Sequence, residues 1–526
     1  MEPDSNNSTY DLDVLRHSAA HVLAMAALRL FPDARVGVGP VTEEGFYYDF
    51  EFPTPITEAD LRQIEAEMNL IIQEGLAFQQ IVVSKDEGFD ILLKRGQIFK
   101  AELLREIPEA EASFYKTGNE FIDLCRGPHV AGTNNVGVVK LIDLQDVNWR
   151  GDPTRPSLQR IHGVAYPSLE ELQAYLRRRE AISNRDFRKL SKFLQLTLGD
   201  QSEVVYTPGG TLAFRQIQKV ISDKFRQQSY DEILASPIRS LEQVEESMDK
   251  FYTHKNRSYK ELPLRVFTNL RNELDAPTRI IGREYNSVTS LTFKSYFQPQ
   301  EKFAELQAQL SAIVESLDQL KLPRSLARIV VSDHESELLT QISEIMQRKG
   351  ISQTHIIKPN ISGAEIEFVA EDSLEREWEI CHTYYSEGAI EYVDKSGQMV
   401  KGNTLCTHWT VEKLLAFFIE DQEGLLPLWL APVQAIIIPI AEEQLDFAEK
   451  IQDTLITNGL RAQIDARAET MQARIRHAEL LKIPIIIVIG EKERQNNSVS
   501  LRLRSQRELG LVSEESLVET ILSLYS

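Results

Sequence analysis

The sequence has little cysteine and no long apolar run. Of its 526 residues only three are cysteine, Cys125, Cys381 and Cys406, which is too few and too scattered for a disulfide framework. We therefore expect a reducing, cytoplasmic compartment. No stretch approaches the roughly 18 consecutive apolar residues that a membrane span needs, so we expect no membrane partner.

Basic residues are also scarce relative to acidic ones. Lys and Arg number 58 against 79 Asp and Glu, which gives a formal net charge of −21. Because phosphate affinity comes largely from basic side chains, this balance argues against a protein that coats nucleic acid nonspecifically. Local basic patches remain at 177–192, with seven Lys or Arg, and at 494–507, with four Arg. Taken alone, each is more simply interpreted as a solvated surface.

Composition and patterning divide the chain into four parts. Residues 1–167 mix helices, at 10–32 and 57–75, with short strands and Gly-rich loops, which is typical of an α+β domain. Residues 168–200 predict one long charged connector helix. Residues 201–426 form a second mixed region, in which the charged segment 241–257 is typical of a loop. Residues 427–526 alternate strand and helix, which predicts an α/β domain with a parallel sheet.

The first part contains four groups that are able to meet at one point. His17 and His21 are four residues apart on the first predicted helix, so both imidazoles lie on one face. Farther along, Gly127-Pro128 forces a turn between Cys125 and His129. Such a set could bind zinc tetrahedrally or could act on water by acid–base chemistry, and the spacing does not decide between the two.

Six separated segments around these groups resemble the editing domain of bacterial threonyl-tRNA synthetases. They agree with that family in type and order over roughly residues 10–195. In chain order the segments are His17-Ser-Ala-Ala-His21, Val38-Gly-Pro-Val41, Gly45-Phe-Tyr-Tyr-Asp49, Asp123-Leu-Cys-Arg-Gly-Pro-His129, Asn148-Trp-Arg-Gly-Asp152 and Leu158-Gln-Arg-Ile161.

This resemblance implies hydrolysis of mischarged Ser-tRNA(Thr). By similarity, His17 and Lys100 position or activate water, while Tyr48 and Asp123 bind the substrate. The same similarity gives the remaining catalytic positions the role of orienting the ester and the terminal ribose. Those positions are His21, Cys125 and His129. Related alanyl-type editing domains use similar ligands for zinc, so zinc is compatible with His17, His21, Cys125 and His129 but no cofactor is required.

Residues 206–422 resemble the class II aminoacylation core of the same family, an antiparallel-sheet domain, with several departures. Arg271 and Glu273 match the motif that holds the ATP α-phosphate. Lys413 stands at the position where the family has an Arg that binds the ATP γ-phosphate. A lysine keeps the positive charge of that Arg but lacks its planar guanidinium group. The family's zinc is held by one Cys and two His. Here the stretch that would bear the Cys is shortened, and we place the two His positions at Leu291 and Thr404. The resemblance therefore puts ATP and threonine binding in doubt.

Four spare groups in the core suggest a rival zinc site, namely Cys381, His382, Cys406 and His408. Adjacent strand residues point to opposite faces, which argues against joint ligation by Cys381 and His382. Buried core thiols and ordinary histidines are the simpler interpretation.

Residues 427–526 resemble the anticodon-binding domain of class II synthetases. Glu493 and Arg502 match positions that contact anticodon bases, which implies tRNA, and specifically tRNA(Thr), as the partner. The core's resemblance implies a homodimer. The leading hypothesis is a trans-editing deacylase. The alternatives are a divergent ATP-dependent threonine–tRNA ligase and a non-catalytic tRNA- or protein-binding factor.

Overall fold

The computed structural model divides the chain into two compact units, Met1–Glu180 and Ala181–Ser526. It describes residues 11–199, 204–234, 241–280, 283–322, 325–332, 336–358, 363–504 and 508–524, without the side chains of 241–242 and 272–287. Within these residues, no helix combines the length and the hydropathy needed to cross a membrane.

The first unit contains two antiparallel sheets, each covered by helices. Its helices are α1 (Leu12–Leu30), α2 (Glu58–Glu74), α3 (Lys85–Lys94) and α4 (Ile98–Glu106), and its strands are β1 (Arg35–Val36), β2 (Phe46–Glu51), β3 (Phe78–Ser84), β4 (Glu111–Thr117), β5 (Phe121–Leu124), β6 (Val138–Asn148) and β7 (Ser157–Tyr166). The larger sheet has the order β1-β2-β7-β6 and packs against α1 and α2. The smaller sheet, β3-β4-β5, packs against α3 and α4.

Helix ends in this unit follow from local capping. Asp11 caps α1 by accepting a hydrogen bond from the backbone N–H of Asp13. At the start of α2 the Asp60 carboxylate accepts from the backbone N–H and the hydroxyl of Thr57, and Gly75 ends that helix in the left-handed conformation. The helices predicted at 10–32 and 57–75 are therefore confirmed.

The connector differs from the prediction of one long helix at 168–196. The structure has two helices instead, α5 (Leu169–Asn184) and α6 (Phe187–Phe193). Asp186 leaves the helical conformation, at φ −51° and ψ 119°, and its carboxylate accepts from the N–H of Arg188. Because this side chain caps α6, it interrupts the helix that the charge pattern alone predicts.

An eight-stranded, mainly antiparallel sheet dominates the second unit, in the order β10-β11-β12-β17-β16-β15-β13-β14. The elements are β8 (Thr197–Leu198), β9 (Val205–Tyr206), α7 (Pro208–Gln227), β10 (Asp231–Glu232), α8 (Leu241–Thr253), β11 (Leu264–Ile280), β12 (Arg283–Phe297), α9 (Lys302–Leu320), β13 (Leu326–Ser332), α10 (Ser336–Arg348), β14 (Ser352–Lys358), β15 (Ala364–Glu371), β16 (Glu377–Val393), β17 (Met399–Thr410) and α11 (Val411–Asp421).

The two faces of this sheet are covered differently. Helices α7, α9 and α11 pack on one face in a continuous apolar core. On the other face, α8 packs through Val244, Met248 and Tyr252. The prediction that 241–257 is a loop is therefore wrong for 241–253, because the apolar residues of α8 recur at helical spacing and are buried.

The C-terminal elements form a five-stranded sheet, β19-β18-β20-β21-β22. They are β18 (Ala435–Pro439), α12 (Leu445–Thr457), β19 (Ala462–Ile464), α13 (Met471–Leu480), β20 (Ile485–Ile489), α14 (Glu491–Gln495), β21 (Ser498–Leu503), β22 (Glu508–Ser513) and α15 (Glu514–Ser523). Strands β18, β19 and β20 are parallel, as the alternating pattern predicts. Strands β21 and β22 extend the sheet antiparallel, so the sheet is mixed.

Candidate active site

Two elements of the first unit bring together the four predicted groups. Helix α1 presents His17 and His21 on one face, and the loop after β5 supplies Cys125 and His129. That loop turns at Gly127, where φ is +70° and an added Cβ would lie 2.4 Å from the hydroxyl of Tyr115. Only glycine fits such a close approach, so the turn depends on this residue.

The four groups meet around the Cys125 thiol. Its Sγ lies 3.2 Å from His17 Nε2 and 3.3 Å from His129 Nε2. The ring centres of His21 and His129 are 4.2 Å apart. One potential ligand atom from each of the four residues lies within 4.8 Å of the others. His21 is buried, while His17, Cys125 and His129 are partly exposed, so solvent reaches the cluster.

Asp123 connects the remaining predicted residues of this site. The hydroxyl of Tyr48 donates to its Oδ2 at 2.5 Å, and Lys100 Nζ lies 2.7 Å from its Oδ1. His21 Nε2 lies 3.5 Å from the same carboxylate. All four side chains are buried. Lys100 comes from α4, a helix that the sequence did not predict, and its ammonium is paired with Asp123.

Burial sets the protonation of the cluster. It lowers the pKa of His17 and, more strongly, that of His21. Burial, followed by the proximity of His21 and His17, lowers the pKa of His129 to about 2. Burial also raises the pKa of Cys125 to about 11. At neutral pH the site therefore holds three uncharged imidazoles and a thiol, beside the paired charges of Lys100 and Asp123.

Aromatic rings and one serine complete the site, and sequence reasoning missed them. Phe78 stacks on His129 with ring centres 5.0 Å apart, and Tyr115 meets the same ring edge-on at 4.5 Å. Ser18 Oγ lies 3.1 Å from His129 Nδ1. Phe78 and Tyr115 come from β3 and β4, so only the fold brings them near. Ser18, in contrast, stands inside the His17–His21 segment and could have been considered.

The predicted ATP-binding residues have structural partners in the second unit. Lys413 Nζ, on α11, lies 3.3 Å from Glu379 Oε2 on β16. Arg271 lies on β11 with an exposed side chain, and its charge acts on the carboxylate of Glu412. Glu273 lies in β11, but its side chain is outside the described residues. The part of the chain that the structure describes thus gives Lys413 a carboxylate partner within the protein.

The placement of the two lost zinc-ligand positions at Leu291 and Thr404 is wrong for Leu291. Leu291 pairs with Trp409 and faces the apolar core. Thr404 pairs with Tyr296, which lies five residues after Leu291 on β12. An odd separation on a strand reverses the face, so Leu291 and Thr404 cannot hold one ion. On Thr404's face, β12 presents Lys294 next to Tyr296.

Lys294 is a buried ammonium with partners on α8. Its Nζ lies 3.2 Å from Glu245 Oε2 and 2.9 Å from Asp249 Oδ1. The Glu245 carboxylate also contacts His408 Nε2 at 2.9 Å. Of the suggested rival zinc ligands, Cys406 and His408 lie together with Glu245, whereas Cys381 is buried in the opposite apolar layer. The four-residue site is therefore not formed.

Glu493 and Arg502 lie in the C-terminal part of the second unit. Glu493 is on α14, where its Oε2 accepts from the N–H of Gly490 at 3.0 Å. Arg502, on β21, pairs with Glu508 and lies 3.9 Å from Glu479 Oε1. Their roles toward tRNA stay predictions.

Two protein families match parts of the chain. The family described as the threonyl and alanyl tRNA synthetase second additional domain matches residues 112–162, which contain Asp123, Cys125 and His129. The anticodon binding domain family matches residues 434–524. These matches coincide with the first unit's cluster and with the C-terminal sheet.

Similar proteins match nearly the whole chain. A threonine–tRNA ligase of Thermus thermophilus is 33% identical over 590 aligned residues, covering 97% of this chain and 88% of the relative. A threonine–tRNA ligase of Acidithiobacillus ferrooxidans is 31% identical, covering 98% and 88%. The RNA binding domain of threonyl-tRNA synthetase from Cryptosporidium parvum Iowa II has a TM-score of 0.55 at 20% identity, covering 65% of this chain and 99% of that structure. This last likeness supports the fold alone.

Proposed function

This chain belongs to the threonyl-tRNA synthetase family, and from that membership we propose that it is a deacylase that hydrolyses mischarged Ser-tRNA(Thr) in trans. The observation that carries the proposal is the convergence of His17, Cys125 and His129, three partly exposed side chains of the first unit, on one point. A protein that only bound tRNA would have no use for such a cluster.

The need for a second site follows from the size of the substrates. Serine differs from threonine by one methyl group, and one methyl contributes only about 1–3 kcal/mol of discrimination. A synthetic site therefore attaches serine to tRNA(Thr) at an appreciable rate. A hydrolytic pocket that excludes the extra methyl of threonine removes the error.

The chemistry is assigned to neutral imidazoles. His17 is partly exposed and uncharged, so its ring accepts a proton from water while the water oxygen attacks the ester carbonyl. The ester C–O bond then breaks, the proton passes to the terminal ribose oxygen, and serine leaves. The ammonium of Lys100, paired with Asp123, lies beside this cluster and helps to position the attacking water. Cys125 and His129 orient the ester.

A zinc ion fits the donor set of this cluster. The potential ligand atoms lie within 4.8 Å of one another, and the buried His21 Nδ1 has no hydrogen-bond partner among the described residues. The residues that would hold zinc are His17, His21, Cys125 and His129. Bound zinc would supply Lewis acidity. The proton transfers assigned to His17 do not require it.

A divergent ligase is the second candidate, and the threonine–tRNA ligases among the relatives favour it. Against it, Lys294 places a buried ammonium on the sheet face of Thr404, paired with Glu245 and Asp249. Because this internal cation pairs with both carboxylates, it competes with a metal or a substrate amine for them. In our proposal the core binds tRNA(Thr) and forms a homodimer, without activating threonine.

The proposal is tested by serine release from labelled Ser-tRNA(Thr), with Thr-tRNA(Thr) as the substrate to be spared. We expect hydrolysis by the full chain, and at least about a hundredfold loss in His17→Ala and Cys125→Ala. Cys381→Ala is the matched control, because that thiol is buried in the core sheet, and it should keep the full rate. Equal rates in all four proteins would refute the assignment.

A further inference from the structure

Ser18 is a fully buried residue of α1 whose hydroxyl makes three contacts. Its Oγ lies 2.8 Å from the carbonyl of Val14, 3.0 Å from the N–H of Val130 and 3.1 Å from His129 Nδ1. A hydroxyl has one proton to donate and two lone pairs that accept. Since the Val14 carbonyl can only accept, it takes the proton. The Val130 N–H can only donate, so it donates to one of the two lone pairs of Ser18 Oγ.

The remaining contact fixes the tautomer of His129. With its only proton given to Val14, Ser18 Oγ must accept from His129, so the ring proton lies on Nδ1. An uncharged imidazole has only one such proton, which leaves Nε2 as an acceptor. That nitrogen faces Cys125 Sγ at 3.3 Å. The serine therefore determines which nitrogen of His129 carries the proton and leaves the nitrogen that faces Cys125 as an acceptor.

The two neighbouring imidazoles, His21 and His17, also have contacts that bear on where their protons lie. His21 turns Nε2 toward the Asp123 carboxylate, which favours the proton on that nitrogen and leaves the buried Nδ1 without a partner among the described residues. The backbone carbonyl of Pro128 favours a proton on the His17 ring, and His17 Nε2 faces Cys125 Sγ at 3.2 Å.

The thiol cannot satisfy both nitrogens that face it. Cys125 has a single S–H proton, while its sulfur already accepts from the N–H of Gly127 at 3.3 Å. Two imidazole nitrogens, one from His17 and one from His129, compete for that proton. One acceptor thus remains available to a hydrogen-bond donor that reaches this partly exposed cluster, and water is such a donor.

We propose that Ser18 is a positioning residue that holds His129 as the Nδ1-protonated tautomer, so that His129 Nε2 accepts from the Cys125 thiol and His17 Nε2 stays free to accept from the attacking water. The inference rests on the proposed hydrolysis for its catalytic meaning, but the tautomer itself does not depend on any substrate. Replacing Ser18 by alanine removes the acceptor for Nδ1–H. The ring then gains the alternative Nε2-protonated form, which turns a donor toward Cys125 Sγ.

The test uses the full chain labelled with ¹⁵N-histidine, because nitrogen chemical shifts distinguish protonated from unprotonated ring nitrogens. We expect His129 in the Nδ1-protonated form in the unaltered protein and a mixture of tautomers in Ser18→Ala. Ser316→Ala is the matched control. Ser316 is also a buried helical serine, bonded to the carbonyl of Ala312 four residues earlier at 2.7 Å. It should leave the His129 signals unchanged.

Kinetics on Ser-tRNA(Thr) supply the second measurement. Ser18→Ala should lower kcat at least about tenfold with little change in KM, since the wrong tautomer impairs proton transfer rather than binding. An Nε2-protonated His129 in the unaltered protein, or an unchanged tautomer in Ser18→Ala, overturns the inference. A tautomer change in a protein that fails to hydrolyse Ser-tRNA(Thr) supports the assignment to Ser18 and refutes the proposed function alone.

Discussion

At the scale of single residues, the site is organised by Asp123. This buried carboxylate accepts from Tyr48 and pairs with Lys100, and it lies next to His21. A buried charge is tolerated only when it is paired and hydrogen-bonded, so each of these contacts keeps the others in place. We infer that Asp123 acts mainly by holding Lys100 and His21 toward the cluster.

The first prediction concerns Asp123→Asn. This change removes the charge that Lys100 faces, so we expect at least about a hundredfold loss of serine release together with a lower melting temperature. Asp49→Asn is the control, because Asp49 is also buried and makes a bidentate pair with Arg160 at 2.7 and 3.0 Å. It should lower the melting temperature and keep most of the activity. Equal activities of the two variants would argue against this role of Asp123.

The second prediction concerns pH. Burial lowers the folded-state pKa of His21 and His129 below the ordinary value of about 6.5, so as pH falls below about 6.5 the unfolded chain binds protons first. Stability therefore falls on acidification, by on the order of 1 kcal/mol per pH unit for each histidine. Denaturation at several pH values between about 7.5 and 5 checks this. His129→Gln should flatten the dependence.

A control for the pH experiment is His355→Gln, which changes an exposed histidine of β14. It should leave the pH dependence of stability as it was. A stability that stayed constant between about pH 7.5 and 5 would show that the buried imidazoles are not held neutral.

At the scale of elements, the sequence predicted the helices and strands that are marked by nearby residues, such as capping residues. The start of α1 at Asp11 and both ends of α2 follow from capping residues that stand in the sequence. The parallel strands β18, β19 and β20 follow from alternation. Helix α4 was missed because its N-cap, Gln97, makes no side-chain capping hydrogen bond. The end of α5 was missed because Asp186 lies in a charged segment of high helix propensity.

The candidate site shows the same division. His17, His21, Cys125 and His129 were found from their spacing and from the Gly-Pro turn. Phe78 and Tyr115 could not be found, since β3 and β4 reach the cluster only through sheet pairing. The error at Leu291 has the same origin, because the face of a strand residue depends on a register that the sequence does not display.

The third prediction concerns α8 and its connection to the core sheet. Lys294→Met removes the ammonium shared by Glu245 and Asp249, and it should destabilise the second unit by about 2 kcal/mol. Lys401→Met is the control. Lys401 is also an ion-paired lysine of the sheet, but it is exposed, and its pair with Glu391 contributes little. Chemical denaturation should separate the two variants, and equal midpoints would contradict a stabilising role for Lys294.

At the scale of the whole molecule, the chain combines two tRNA-related parts with a modified core. Residues 112–162 match the second additional domain of threonyl and alanyl tRNA synthetases, and residues 434–524 match an anticodon binding domain. Between these two segments of the sequence is a core sheet in which Lys294 supplies an internal cation and Lys413 is paired with Glu379. We infer that this protein binds tRNA and hydrolyses its aminoacyl ester. We infer also that its core does not catalyse the formation of that ester.

The most direct measurement compares two reactions in one preparation of the full chain: serine release from Ser-tRNA(Thr), and threonine-dependent exchange between ATP and pyrophosphate. The account predicts rapid serine release and no exchange above background. Exchange that depends on threonine, in a preparation that leaves Ser-tRNA(Thr) intact, would contradict it.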